Sequence, residues 1–300
     1  MDSLTLARPH PYTAPAYARA LAHCGRPVEV KAWRTFVLGR PLPAGLSGED
    51  AMGAYPLAVI DPAADIEAGL HALAAVGLVT VVLVPDPLAG PPPARLAQAF
   101  TLCRPFKTHQ LVRPARGYEP SKHHRDRVRR GQRRCRIERV RLANHLETWG
   151  NLYAGLVDRR TIRGAADFTP AYFAALAGEP AITAFAAFVD ERIVAMTLWF
   201  EHDGVAYNHL TASDAVGYAN GANFALYGAA IDHFIGAEVI NLGGGAGFAD
   251  DPEDGLAAFK RGFANDSVQA LLCGAVLDER RYGELALGRG AGGFFPAYRG

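Results

Sequence analysis

The sequence predicts an α/β (α+β) fold with mixed, mainly antiparallel sheets flanked by helices, and three observations carry that expectation. Residues 78–84 (LVTVVLV) form an unbroken β-prone run of strand length, with helix-patterned segments on either side. Residues 182–211 divide into three short strands joined by tight turns, the pattern of an antiparallel meander. Half of the 300 residues are hydrophobic and 10% are aromatic, which supplies a packed core and excludes global disorder. The length suits one large domain or two of ordinary size.

Taken in order, 28–38 reads as a strand followed by a turn-rich stretch, and 55–60 as a second strand. Asp61-Pro62 is a good helix start, Ile66, Leu70 and Leu73 make one apolar face, and Gly77 stands where the helix closes. The strand 78–84 follows, then a helix at 94–102 and a strand at 107–112. A boundary is expected within 113–120, dividing the chain into 1–115 and 116–300. Beyond it lie a basic segment, a helix at 144–159, and meander strands at 182–189, 193–200 and 205–211, turning at Asp190-Glu191 and Asp203-Gly204. A helix at 218–235 carries Phe224, Tyr227, Ile231 and Phe234 along one face. A strand at 239–242 runs into Gly243-Gly244-Gly245, and a short helix at 255–263 and a strand at 268–277 follow. A meander, a helix and then further strands is the layout of a GNAT-type acyltransferase.

Charge is distributed unevenly. Between Lys122 and Arg141 the chain carries Lys122 and nine arginines against Asp126 and Glu138, a local charge of +8 in a chain of +1. Such a block is either a solvated helix or the footprint of a phosphate-rich partner, and arginine's planar fork favours the second. Arg125, Arg129, Arg130 and Arg133 are the expected phosphate contacts. Without interleaved aromatics this is backbone recognition rather than base stacking. The four cysteines are scattered without a CxxC pair, which fits a reduced cytoplasm. No HxxxH pair occurs, so no metal is expected. The first residues lack a secretory pattern and the apolar runs are too short to span a bilayer, so a cytoplasmic protein is expected.

Three segments offer chemistry. The glycines of Asn241-Leu242-Gly243-Gly244-Gly245-Ala246-Gly247 follow a strand and let a ligand approach backbone N–H groups, though a plain turn has the same composition. The dinucleotide fingerprint is excluded by the position of this loop and the lack of a following acidic residue at Rossmann spacing. Lys260 sits on the short helix after the loop, where a lysine can stabilise an oxyanion or anionic leaving group, or can be an ordinary surface residue. Asp250, Asp251, Glu253 and Asp254 precede that helix, as caps complementing its dipole or with a general base among them. Tyr207, His209 and Ser213 lie on or just past the third meander strand, His209 being a base or a core histidine. The closing Phe294-Phe295-Pro296-Ala297-Tyr298-Arg299 is expected to pack against a sheet.

In their order, SKHHRDRVRR, AMTLWFEHDGVAYNHLTAS, GYANGANFALYGAAIDHF, VINLGGG, GLAAFKRGF and FFPAYR resemble the Fem-type branch of the GNAT acyltransferase superfamily, most strongly over 121–299. The resemblance implies a tandem GNAT-like fold, with a degenerate N-terminal half at 1–115 and an acyltransferase half at 116–300. It implies amide-bond formation, most characteristically transfer of an aminoacyl group from aminoacyl-tRNA to an amine of a small-molecule, peptide or cell-envelope precursor. The family's Phe-Lys motif falls on Phe259-Lys260. The implied catalytic set is Lys260, Phe259 and His209. The implied substrate contacts are Arg125, Arg129, Arg130, Arg133, Tyr207, Gly243, Gly244, Gly245 and Arg261, with tRNA or another phosphate-rich molecule on the basic segment and no resident cofactor. Two departures stand out. Tyr218-Ala219-Asn220-Gly221-Ala222-Asn223 differs at its ends from the pyrophosphate cradle of CoA-using relatives, and the long helical arm of some Fem enzymes is missing. The alternatives are an N-acyltransferase using acyl-CoA or acyl carrier protein, and a non-catalytic RNA-binding module.

Overall fold

Side-chain caps start most of the longer helices. Asp65, Ser121, Thr169, Asp214, Asp254 and Asp278 each accept a backbone N–H of the first turn through their own side chain. In the computed structural model, residues 9–247, 250–251, 253–288 and 293–300 are described. In chain order the elements are α1 (Pro15–Ala20), β1 (Arg26–Val30), β2 (Thr35–Pro41), β3 (Glu49–Gly53), α2 (Ile66–Ala75), β4 (Leu78–Leu83), α3 (Pro93–Ala99), β5 (Leu102–Val112), α4 (Lys122–Gln132), β6 (Arg136–Val140) and α5 (Leu146–Arg160). They continue with α6 (Pro170–Ala177), β7 (Ile182–Val189), β8 (Arg192–His202), β9 (Val205–Ser213), α7 (Ala215–Asn220), α8 (Ala222–His233), β10 (Val239–Gly243), α9 (Gly255–Arg261), β11 (Asp266–Val276) and α10 (Glu279–Ala286).

Two compact units result, one of 1–106 with 269–300 and one of 107–268. In the first, strands run in the order β1-β2-β3-β4-β11, with only the β3–β4 pair parallel. In the second, the order is β5-β10-β9-β8-β7-β6, with only the β9–β10 pair parallel. Each unit is thus a mixed, mainly antiparallel sheet with one parallel step and flanking helices. Each also takes its closing strand from the other part of the sequence. The second unit uses the end of β5, and the first uses the end of β11. A linear division at 115 cannot express that exchange, because pairing partners far apart in sequence decide it.

The first unit's core gathers Trp33, Val37, Ile60, Leu73, Val81, Leu83 and Phe100. In the second, Trp199 faces Tyr227 of α8 and Phe234 at its C-cap, while the next residue, Phe200, packs on His209 beside Tyr172 of α6. The strand's alternation therefore puts α8, with α4 on it, over one face and α5 with α6 over the other. The α4–α8 contact is close. A Cβ on Gly131 would stand 2.6 Å from the Gly221 carbonyl oxygen, and one on Gly228 would stand 2.7 Å from Val128.

Several expectations change in detail. The strand expected at 28–38 is a hairpin, β1 and β2, broken by a 3₁₀ turn with Arg34 at φ 53°. The helix expected at 218–235 is two helices, because Gly221 takes φ +73° and ends α7 before α8 begins. At 55–60 there is only an isolated bridge between Ala58 and Pro85, and β3 stands instead at residues the composition left in a loop. The basic segment is a helix and then a strand, α4 and β6.

The C-terminal segment packs as expected from Phe295 onward, with Phe294 left exposed, and it brings a buried charge cluster with it. Asp50 is fully buried and accepts from Arg40, from Arg299 at 2.6 and 2.9 Å, and from the Tyr298 hydroxyl, which also meets Thr80. Removing the carboxylate strands two guanidinium groups in a mostly dry site. Asp50→Ala is therefore expected to lower stability by about 3 kcal/mol in urea denaturation, and a loss below about 0.5 kcal/mol would show that solvent already screens the cluster.

Candidate active site

The parallel pair β9–β10 holds register only from Val239↔Val205 to Asn241↔Tyr207. Beyond that rung β9 stays with β8 and β10 stays with β5, so the two strands part. At the parting, β10 has an irregularity between Asn241 and Gly243. The Asn241 side chain accepts the Gly243 N–H at 2.8 Å, and Gly243 takes φ +79°. The chain leaves β10 through the glycine loop and returns as α9.

Two amines meet this loop. Lys260, 8% exposed on α9, donates from Nζ to the Gly244 carbonyl at 2.8 Å. Lys107, 5% exposed on β5, donates from Nζ to the Ala246 carbonyl at 2.7 Å. His109, two residues along β5, is buried beside Gly244 with its Nδ1 making no hydrogen bond. Carboxylates tie the loop to its neighbours. Asp254 Oδ1 accepts from Ala246 N and Ala257 N, both at 2.9 Å, and Asp250 Oδ2 accepts from Thr108 N and Oγ1 at 3.0 and 2.7 Å. The loop thus turns carbonyls 244 and 246 toward the lysines, while the N–H groups of 243 and 246 are already engaged.

Burial sets the electrostatics. It pushes the Lys260 amine down to about 7, with Asp254 working against the fall and Lys107 adding to it. Burial lowers Lys107 as well, opposed by Asp250, Asp254 and Asp251. His109 is pushed down to about 4 by burial and by Lys260 beside it. Burial works against the Asp254 carboxylate too, but the N–H bonds it accepts outweigh this and hold it below the usual range.

The sequence-derived residues divide into three groups. Lys260, Phe259, Gly243, Gly244 and Gly245 come together. Phe259 seats α9 among Tyr227, Phe224 and Phe263, with ring centroids 4.8, 4.9 and 5.3 Å away. Tyr207 is buried at the last rung before the strands part, and Arg261 is exposed at the end of α9. His209 stands apart on the α5–α6 face, with Nε2 2.7 Å from the Tyr172 hydroxyl, and burial pushes it down to about 3. In the basic segment Arg125 bonds Glu119 and the Pro120 carbonyl, and Arg129 lies 3.9 Å from Asp126. Among the described residues Arg130 and Arg133 are exposed and have no ion-pair partner.

Residues without any motif of their own hold the parts together. Ser121 N donates to the Gly262 carbonyl at 3.0 Å. The His124 ring lies 3.0 Å from Ser121 Oγ through Nδ1 and 2.9 Å from the Phe259 carbonyl through Nε2. A neutral ring with its proton on Nε2 satisfies both contacts. The start of α4 is therefore bonded to the residue next to Lys260. Lys107 and His109 were legible as two polar side chains on one face of the strand at 107–112. Among the described residues no group of three His, Cys, Asp or Glu is placed to hold a metal, and no helix is long and apolar enough to cross a membrane. A shallow cleft of about 740 Å³, lined by residues such as Tyr118, Glu119, Ile235 and Glu238, opens beyond the other end of β10.

The neutral histidines make the second unit acid-sensitive. His209 and His109 titrate near 3 and 4 when folded, against about 6.5 when unfolded. The unfolded chain takes up their protons first, so their contribution is complete above pH 6.5 and is lost as pH falls toward those values. Urea denaturation should show stability falling with acid, and His209→Gln should remove one proton's worth of that slope, about 1.4 kcal/mol per pH unit. An unchanged slope would mean that His209 is solvated.

Residues 122–261 match the model of the acetyltransferase (GNAT) domain. No curated protein matches the sequence. Among solved structures, the C-terminal domain of a putative lysylphosphatidylglycerol synthetase from Agrobacterium fabrum has a TM-score of 0.62 at 16% identity, covering 88% of each chain. FemX has a TM-score of 0.62 at 13% identity, over 92% of this chain and 96% of its own. L-PGS from Bacillus licheniformis has a TM-score of 0.54 at 14% identity, over 89% and 93%. At these identities the likeness is one of fold. Residues 122–261 thus resemble a GNAT acyltransferase domain, and the chain shares its fold with FemX and the lysylphosphatidylglycerol synthetase domain.

Proposed function

We propose that this acyltransferase moves an aminoacyl group from aminoacyl-tRNA to an amine of a small-molecule, peptide or cell-envelope precursor. The observation that carries the reading is the bond from His124 to the Phe259 carbonyl. It fixes the first turn of the arginine-rich helix against the residue preceding Lys260, so phosphate contacts and acyl chemistry share one rigid support. Arg130, Arg133, Arg134, Arg139 and Arg141 are exposed and have no ion-pair partner among the described residues, which leaves them for a polyanion.

The CoA alternative has less support. The nearest match to the pyrophosphate cradle of CoA-using relatives, 218–223, straddles the α7–α8 junction. There the Gly221 N–H already donates to the Tyr218 carbonyl at 3.2 Å, and Gly131 of α4 lies close against the Gly221 carbonyl. In this reading the donor is a substrate, and the transfer calls for no resident cofactor.

In the reaction the acceptor nitrogen attacks the ester carbonyl held where β9 and β10 part. Negative charge develops on the carbonyl oxygen and then on the departing ribose oxygen. Lys260, poised on the Gly244 carbonyl, is the cation available to both, in a site dry enough for one charge to count heavily. The carbon–nitrogen bond forms, the ester carbon–oxygen bond breaks, and tRNA leaves as the alcohol.

Two measurements follow. Lys260→Met should lower turnover at least ~10²-fold while circular dichroism stays native, and turnover within a few-fold of wild type would remove Lys260 from the mechanism. Replacing Arg130 and Arg133 by Gln should weaken tRNA binding and flatten its dependence on log salt by roughly one for each phosphate that is no longer neutralised. An unaltered slope would place tRNA elsewhere.

A further inference from the structure

The chain leaves its first unit along β5 and returns to it along β11. Each of these strands carries one cysteine close to the crossing. Cys103 stands shortly before the second unit begins at Lys107, and Cys273 shortly after it ends at Val268. Both cysteines belong to the first unit, where β11 stands between β4 and β5. There the two thiols meet, Sγ to Sγ at 3.5 Å, although 170 positions separate them in sequence.

Neighbouring strands lie roughly 4.7–4.9 Å apart, inside the Cα separation of roughly 4.4–6.8 Å that a disulfide spans. A sulfur–sulfur bond of about 2.05 Å therefore asks only for a closer approach of the two side chains. The thiols differ in access. Cys273 is fully buried in the first unit's apolar core, opposite Leu83 of β4. Burial and the neighbouring Cys103 raise its thiol, so it stays protonated. Cys103 packs against the same core but is partly exposed, which makes it the thiol that a small reagent can reach. Of the other two cysteines, Cys135 is buried in the second unit's core, and burial pushes the Cys24 thiol up to about 11. Disulfides in a reducing compartment are typically transient, redox-sensing ones.

We propose that Cys103 and Cys273 are a modification site, a dithiol that a hydroperoxide converts reversibly into a disulfide stapling β5 to β11. Cys103 attacks one oxygen of the hydroperoxide and keeps it as a sulfenic acid. The oxygen–oxygen bond breaks, and the other oxygen leaves with the thiol proton as an alcohol or water. Cys273 then attacks the Cys103 sulfur. The sulfur–sulfur bond forms, the sulfur–oxygen bond breaks, and the hydroxide leaves with the Cys273 proton as water. Two thiols are oxidised and one hydroperoxide is reduced. An external dithiol restores both thiols by exchange. The loop that the bridge closes contains the whole second unit, so the bridge restricts the unfolded chain strongly. None of this depends on the acyl donor.

The test is made on the folded, full-length chain with hydrogen peroxide. One equivalent should lower the mass by about 2 Da. The peptide map should then join the Cys103 and Cys273 peptides, while Cys24 and Cys135 remain open to alkylation once the protein is unfolded. Dithiothreitol should restore the original mass. Oxidation should raise the urea midpoint by about 1 M in the native chain and leave it unmoved in Cys103→Ser. The order of attack is read from the variants. Cys273→Ser should hold Cys103 as a sulfenic acid that dimedone traps, whereas Cys103→Ser should leave Cys273 unreacted. Recovery of both thiols unmodified would overturn the proposal. So would oxidation of Cys103 to the sulfinic acid with Cys273 still free, or a urea midpoint that the bridge leaves unmoved. The peptide map of the native chain decides the matter even where a variant folds poorly.

Discussion

Asn241 is where the architecture turns into a site. By accepting the Gly243 N–H, its side chain interrupts β10 at the rung where the parallel pairing with β9 ends. If β10 instead continued in register, the loop carbonyls would belong to a sheet ladder and could not receive Lys107 and Lys260. The glycines are needed for the same reason. A Cβ on Gly243 would stand 3.1 Å from Lys260 Nζ, and one on Gly244 would stand 3.1 Å from Lys107 Cβ. The buried amines, the parted strands and the tight loop are one arrangement with a single local cause.

A second arrangement couples that loop to the surface. α9 is held by its aromatic residues against α8, and α4 lies on α8 through the close glycine contacts. Ser121 and His124 then close the triangle by bonding α4 to α9. Four of the nine arginines are presented on α4, whose inner side is committed to Val128, His124 and Gly131, and the other five follow from its C-cap through β6 to Arg141. Their charge is thus displayed by a rigid element rather than by a mobile tail. That limits the entropy lost when a polyanion binds.

Much of this was legible in the sequence, for reasons of range. The meander, β4, α5, β10 and α9 are set by local patterns of two or 3.6 residues, and those patterns were present. The family likeness added Phe259-Lys260, which periodicity alone leaves as one more short helix. Long-range partners account for the remainder. The exchange of closing strands, the pairing of Asp50 with Arg299, and the latch from His124 to Phe259 join residues 128 or more positions apart, and no spacing rule reaches that far. Lys107 looked like a strand residue because only the fold shows that its amine arrives at the loop that also holds Lys260. His209 shows the opposite case, a chemically able side chain that the alternation of β9 directs to the other face, against Tyr172.

The central claim is that the glycine loop and its lysine act on an aminoacyl ester delivered by tRNA. It is tested most directly by incubating the protein with tRNA charged with labelled amino acids and, in parallel, with labelled acyl-CoA. Both receive the same acceptor pool of amine metabolites and peptides, and products are read by mass spectrometry. The account predicts label leaving tRNA and appearing in a new amide, with none passing from CoA. Label moving from CoA alone would contradict it and would make the arginine surface a feature of the acceptor.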